Sequence, residues 1–134
     1  MCLKRPQILD TIFAELASRS DEEGYIFATD EDLDKWASTL GLSWLAALDV
    51  IGAELARRYD SKQVNFAFGD SLANDLESTL IFRHQDVPED GWPMIWSEVY
   101  EAFDAGEWRP ADDPDDPVLK FTNPAISDIV AKLG

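Results

Sequence analysis

The sequence predicts a mainly α, compact single domain of about six helices with one or two short strands. Three observations carry that expectation. Apolar residues recur at three- and four-residue spacing in six separate stretches, capping and turn residues punctuate those stretches, and period-two alternation is confined to very short segments. The 134 residues lie within the usual range for one domain, and a hydrophobic content of 46% is enough to build one core. No internal repeat and no shift in composition divides the chain, so residues 1–134 are expected to form one unit.

The first helix is predicted over residues 6–19, where Ile8, Leu9, Ile12, Phe13 and Leu16 share a face and Pro6 sits in the first turn, whose N–H needs no helical partner. Ser20 to Gly24 reads as a polar turn, and Tyr25-Ile26-Phe27 as a short extended segment. Thr29 or Asp30 caps a second helix whose acidic first turn suits the positive helix end; it runs to about Leu40 and stops at Gly41. Ser43 caps a longer third helix with Leu45, Leu48, Ile51, Gly52 and Leu55 as its apolar stripe and Arg57-Arg58 near its negative end.

Val64, Phe66 and Phe68 alternate with Asn65 and Ala67, which predicts a half-buried strand over 63–68. Ser71 to about Arg83 is read as a helix with Leu72, Leu76 and Leu80 on one side and Ser71 or Asp70 as its cap; Thr79 to Phe82 also fits a second strand. A Pro/Gly/Asp loop covers 85–92. Pro93 to Ala105 then carries Ile95, Trp96, Val99, Tyr100 and Phe103 at helical spacing, with Gly106 as the stop. Residues 107–122 hold three prolines and the run Asp112-Asp113-Pro114-Asp115-Asp116, and are expected to form an acidic loop too polar to pack. Asn123 and Pro124 start a terminal helix with Ile126, Ile129, Val130 and Leu133 facing inward.

Charge narrows the function. The chain has 27 Asp and Glu against 11 Lys and Arg, a formal net charge of −16. A surface so acidic repels nucleic-acid phosphates and anionic membranes and attracts basic proteins, which makes a basic protein the expected partner. The single cysteine, Cys2, cannot form an internal disulfide, no signal-peptide pattern opens the chain, and no apolar run approaches a membrane span. A cytoplasmic location is the corresponding expectation.

A helix from Asp30, the turn Leu40-Gly41-Leu42-Ser43 and a helix from Trp44 resemble a helix-turn-helix unit over residues 30–56. With a helix in front and the 64–68 segment behind, the order is also similar to a winged-helix domain. The resemblance implies a DNA-binding regulator, with Ser43, Trp44 and Ala47 facing bases. The proposed recognition helix, however, has no Arg, Lys, Asn or Gln near its start, and the acids Asp30 to Asp34 flank it. A basic face would have to come from Arg57, Arg58 and Lys62 in a dimer.

Phe68-Gly69-Asp70-Ser71-Leu72 resembles the first block of GDSL-type esterases and lipases, which implies a hydrolase with Ser71 as nucleophile. A serine hydroxyl needs a base within reach, and that family places an Asp-x-x-His late in the chain. Here the only histidine, His84, follows Ile81 at that spacing. No catalytic residue is therefore expected. Asp30, Asp32 and Asp34 have the alternate spacing of a calcium loop, but Lys35 and Gly41 occupy the positions that need Gly and Glu. One Cys and one His do not make a zinc site, and the glycines form no phosphate loop. No metal and no cofactor are expected.

Residues 98–116 carry eight acids and one base, interleaved with Tyr100, Phe103 and Trp108. Acids that steer a basic partner and an aromatic ring that anchors it are the two halves of a protein-recognition surface. The candidate partner-binding residues are Glu98, Glu101, Asp104, Glu107, Trp108, Asp112, Asp113, Asp115 and Asp116. Asp10 to Asp34 forms a second negative zone of nine acids. The expected function is a non-catalytic acidic protein-binding module, immunity- or antitoxin-like or regulatory, by analogy of class. The helix-turn-helix regulator and the Ser71 hydrolase stand as alternatives.

Overall fold

Helical periodicity is realised along almost the whole chain. The computed structural model describes residues 4–108 and 116–134, and among them lie six α-helices: α1 (Arg5–Ala17), α2 (Asp30–Leu40), α3 (Trp44–Asp60), α4 (Phe66–Phe82), α5 (Met94–Glu107) and α6 (Asn123–Leu133). A short 3-10 turn, His84–Asp86, follows α4, and a π-helical turn, Val118–Thr122, runs directly into α6. α1 buries the five residues its sequence pattern marks, Ile8, Leu9, Ile12, Phe13 and Leu16.

α3 is the central element. α2, α4, α5 and α6 all pack on it, and it buries Ala47, Leu48, Ile51, Gly52, Ala53, Leu55 and Ala56. Gly52 lets one neighbour approach closely. A Cβ on Gly52 would lie 3.1 Å from the Trp96 ring and 3.3 Å from the Trp96 Cα, so α5 crosses α3 at a position where a larger residue pushes the helices apart. Trp96 has no exposed surface. Its backbone N–H donates to Asp49 Oδ1 of α3 at 3.0 Å, which supplies the cap that the Pro93 side chain cannot, and its Nε1–H donates to Glu77 Oε1 of α4 at 3.0 Å.

Several sequence expectations are corrected. The described residues contain no strand. Val64, Phe66 and Phe68 alternate only because Asn65 is the N-cap of α4, its Oδ1 accepting from the Phe68 N–H at 2.9 Å. From Phe68 onward the apolar residues Leu72, Leu76 and Leu80 continue at four-residue spacing, and Thr79 to Phe82 completes the same helix. Ser71 and Asp70 therefore lie inside α4 rather than capping it. Tyr25 to Phe27 is extended, but its backbone is held by α4 side chains instead of a neighbouring strand: Ser71 Oγ accepts from Ile26 N–H and Asp75 Oδ2 from Ala28 N–H.

Gly106 does not end α5. It lies within the helix because a Cβ there would stand 2.3 Å from Thr122 Oγ1 and 2.9 Å from Phe66, so it marks a close crossing. The acidic 107–122 segment is only partly a loop: Glu107 closes α5, and Val118–Thr122 is helical. Thr122 is fully buried and donates to the Ala102 carbonyl at 2.7 Å, an anchor that outweighs the polar run before it. Asn123 is helical and does not cap α6; its Oδ1 accepts from the Tyr59 hydroxyl at 2.5 Å.

The acids of the N-terminal half are largely spent on the fold. Arg19 forms a two-pronged pair with Asp32 at 2.7 and 3.0 Å and also donates to Glu15 and the Phe27 carbonyl. The Arg19 hydrogen bonds hold the Asp32 carboxyl down at about 2. Arg58 joins Asp10 to Glu54, Arg83 grips Asp34 at 2.9 and 3.0 Å, and Asp30 accepts from Thr79. The alternating Asp30, Asp32 and Asp34 thus serve three different partners and one helix start.

Two substitutions test this packing. Gly69→Ala places a Cβ 2.4 Å from the Phe103 ring, and overpacking of this kind is expected to cost about 1–3 kcal/mol in denaturant unfolding. Asp49→Ala removes the cap of α5 and should cost roughly 1 kcal/mol. A Gly69→Ala variant as stable as the wild type would mean that α4 and α5 do not approach as described.

Candidate functional site

α4 and α5 lie side by side and carry seven carboxylates without a single Lys or Arg. On α5 the acids are Glu98, Glu101, Asp104 and Glu107, all exposed. A three-residue step falls short of a full helical turn by about 60°. The acidic line therefore winds around α5, from the side facing α6 at Glu98 to the side facing α4 at Glu107. On α4, Asp70, Asn74 and Glu77 stand at i, i+4 and i+7, one face that looks across the seam.

On the α6 side, the space between the helices is a groove of about 400 Å³. Its floor is Ala102, Ala105, Ala125 and Ile129 with the Phe121 ring, and Glu98, Glu101 and Asp128 stand around it with Lys132. Phe121 is 40% exposed, Leu119 two residues before it is 66% exposed, and Trp108 at the end of α5 is 69% exposed. Among the described residues no ion pair reaches an acid of α5 or Asp128, in contrast to the paired acids of α1 and α2.

The seam between α4 and α5 is electrostatically strained. Asp70 is only 9% exposed, and its Oδ1 has no hydrogen-bond partner. Burial, then the neighbouring Glu107 carboxylate within hydrogen-bonding reach, then Asp104, push the Asp70 carboxyl up to about 7. Two ionised carboxylates have no donor between them, so the repulsion is relieved when Asp70 holds a proton. Glu107 also accepts from Asn74 Nδ2 at 3.2 Å. Burial raises Glu77 as well, against the hydrogen bond from Trp96, with Glu101 and Asp104 adding to the rise. The Tyr100 hydroxyl is raised by burial and by Asp104, Glu77, Glu107 and Asp70.

The structure distributes the sequence-predicted site residues unevenly. Glu98 and Glu101 border the groove, while Asp104 and Glu107 face the α4 seam. Trp108 is exposed at the end of α5, and Asp116 turns its carboxylate back onto the Val118 N–H at 2.9 Å. Asp112, Asp113 and Asp115 lie outside the described residues. Phe103 is fully buried, packed edge-on against Tyr59, and is part of the core. Asp70, Leu119 and Phe121 join the site without having been expected there.

Other candidate places hold less. Ser71 Oγ donates to the Ala67 carbonyl at 2.7 Å and accepts from Ile26, and His84 lies beyond the far end of α4, roughly 20 Å of helix rise away. A cavity of about 840 Å³ opens between the α3–α4 turn and the start of α6, and several of its polar side chains are engaged in bonds that hold the fold. Tyr59 bonds Asn123, Asn65 bonds both Glu23 and Phe68, and Gln63 bonds Ser61. No group of three or more His, Cys, Asp or Glu side chains among the described residues is arranged to hold a metal ion. No single described helix is long and apolar enough to cross a membrane. No protein-family model matches the chain, and comparisons with curated proteins and with solved structures also found no match.

The raised Asp70 carboxyl has a signed consequence for stability. Because the folded chain holds this proton more tightly than the unfolded chain, its contribution is complete below about pH 4 and is lost as pH rises through about 7. Asp70→Asn should be more stable than wild type above pH 7 by on the order of 2–4 kcal/mol, with the advantage shrinking toward pH 4. Urea unfolding across that range checks it, and a pH-independent difference would contradict the assignment.

Proposed function

We propose that this chain is a non-catalytic, acidic protein-binding module that captures a basic protein on the face formed by α5, the 118–122 turn and α6. The observation that carries the reading is the pairing of unneutralised acids with exposed apolar surface. Glu98, Glu101 and Asp128 outnumber Lys132 around an apolar floor that includes the Phe121 ring, and Leu119 of the 118–122 turn and Trp108 at the end of α5 are exposed. Unscreened charge raises the encounter rate with a basic partner, and desolvated aromatic anchors then slow its release. An inhibitor of the immunity or antitoxin class, or a regulatory adaptor, matches this combination of small size, net charge of −16 and docking face.

The DNA-binding alternative rests on one geometric fact: α2 and α3 meet at 91° across the Gly41 turn, within the range of helix-turn-helix units. Against it, Ala47 is fully buried, and the Arg83 guanidinium lies over the Trp44 ring while pairing with Asp34. α3 spends its faces on the core, and a reading helix needs one free for the groove.

Charge reversal on one face separates these readings. A Glu98→Lys, Glu101→Lys variant should lose a basic partner that wild type captures from host lysate at low salt. A Glu22→Lys control, on the N-terminal zone, should retain it. Association should slow as ionic strength rises, since the Debye length shortens from about 30 Å at 0.01 M to about 10 Å at 0.1 M. Equal capture by all three forms would refute the assignment of the face, and recovery of DNA instead of protein would favour the alternative.

A further inference from the structure

The seam between α4 and α5 keeps a carboxylate in a place that disfavours it. Asp70 is about nine-tenths buried, its Oδ1 is without a hydrogen-bond partner, and the groups that face it are acidic or neutral. From α5 these are Glu107, Asp104 and, further along, Tyr100; from its own helix they are Asn74 and Glu77. Among the described residues no Lys, Arg or His is a cause of the Asp70 shift, and the charges that act on it, Glu107 and Asp104, are negative. A group so placed is deficient in cations, and an isolated domain can answer only by holding a proton.

The geometry also selects which cation would replace that proton. Among the described residues the carboxylates are not gathered closely enough to hold a metal ion. They are spread along two helices, which suits a flat, delocalised cation with several divergent N–H donors better than a point charge. Glu107 is exposed and hydrogen-bonded to Asn74, a half-buried side chain, at 3.2 Å, so both can turn aside to admit such a group. The seam lies on the opposite flank of the same helix whose Glu98 and Glu101 border the groove.

We infer, resting on the protein-binding reading above, that the partner makes a second contact across α5 from the docking groove, an arginine whose guanidinium enters the seam at Asp70, Asp104 and Glu107 and gives the buried Asp70 Oδ1 the donor it lacks. The proton held by Asp70 leaves to solvent, so complex formation releases protons when the seam is protonated and releases none once it is already ionised. Binding is then weaker in acid, where the arginine competes with the proton, and reaches its limit above neutral pH. The deletion of Asp70 leaves the docking face and its steering charges in place, which separates this contact from the surface around it.

The test is a carbon-detected NMR titration of the side-chain carboxyls of the intact chain at low salt, with and without a saturating oligo-arginine peptide. The titration midpoint of Asp70 is expected to fall by about one pH unit or more when the peptide is bound, a tenfold or larger preference for the ionised form. The exposed Glu22 and Glu31 should move far less. An Asp70→Asn variant should bind the peptide about tenfold more weakly at pH 8 while showing an unchanged amide spectrum away from the seam. If the peptide binds but Asp70 moves no more than Glu22 and Glu31, the arginine contact is wrong and the acidic docking face survives. If no peptide binds at low salt, the contact and the docking reading fall together.

Discussion

Trp96 is the side chain on which the arrangement of helices depends. Its indole has no exposure, its ring lies against the bare backbone of Gly52, its N–H is capped by Asp49, and its Nε1–H is satisfied by Glu77. Three helices are thus joined at one residue. A buried indole N–H is stabilised by an acceptor, and for Trp96 that acceptor is the Glu77 carboxylate on α4, whereas the buried Trp36 Nε1 has none. The core therefore brings negative charge to the α4–α5 seam as a condition of its own packing, and the electrostatics of the surface begin inside the fold.

The net charge of −16 is not spread evenly in its effect. Arg19, Arg58 and Arg83 each hold one or more carboxylates of the N-terminal half, and two of these arginines also cover the aromatic rings of Phe27 and Phe13 while the third covers Trp44. Those acids act as fasteners between helices. Among the described residues no ion pair reaches the acids of α4 and α5, and one of them is buried with an unmatched oxygen. The ion pairs among the described residues thus fall on acids of α1, α2 and α3, while the α4–α5 seam keeps carboxylates that repel one another, a local stability penalty.

How far this was legible depended on the length of each pattern. α1, α3, α5 and α6 are readable because four or five apolar residues at helical spacing leave few alternatives, and α2 because a capping residue, an acidic first turn and Gly41 bound it. The beginning of α4 was misread because three residues of alternation, Val64, Phe66 and Phe68, look like a strand until Asn65 is recognised as a cap. That error also concealed Asp70. With the helix begun at Phe66, the residues Asp70, Asn74 and Glu77 fall at i, i+4 and i+7 as a polar stripe on an otherwise apolar helix, a readable signal of something unusual. Gly106 was taken for a stop for a related reason, since a glycine that ends a helix and one that admits a neighbour look the same in one dimension.

The sequence by itself determined the helical class, the identity of most buried faces and the excess of acid, because each follows from residue type and local spacing. Tertiary structure decided which acids are neutralised, since Arg19 and Asp32, or Arg83 and Asp34, meet only when separate helices pack. It also decided that Phe103 belongs to the core while Phe121 reaches the surface, and that Asp70 faces Glu107 across a seam. Pairing, burial and desolvation are properties of three-dimensional neighbours, and the energy of a charge depends on them far more than on its place in the chain.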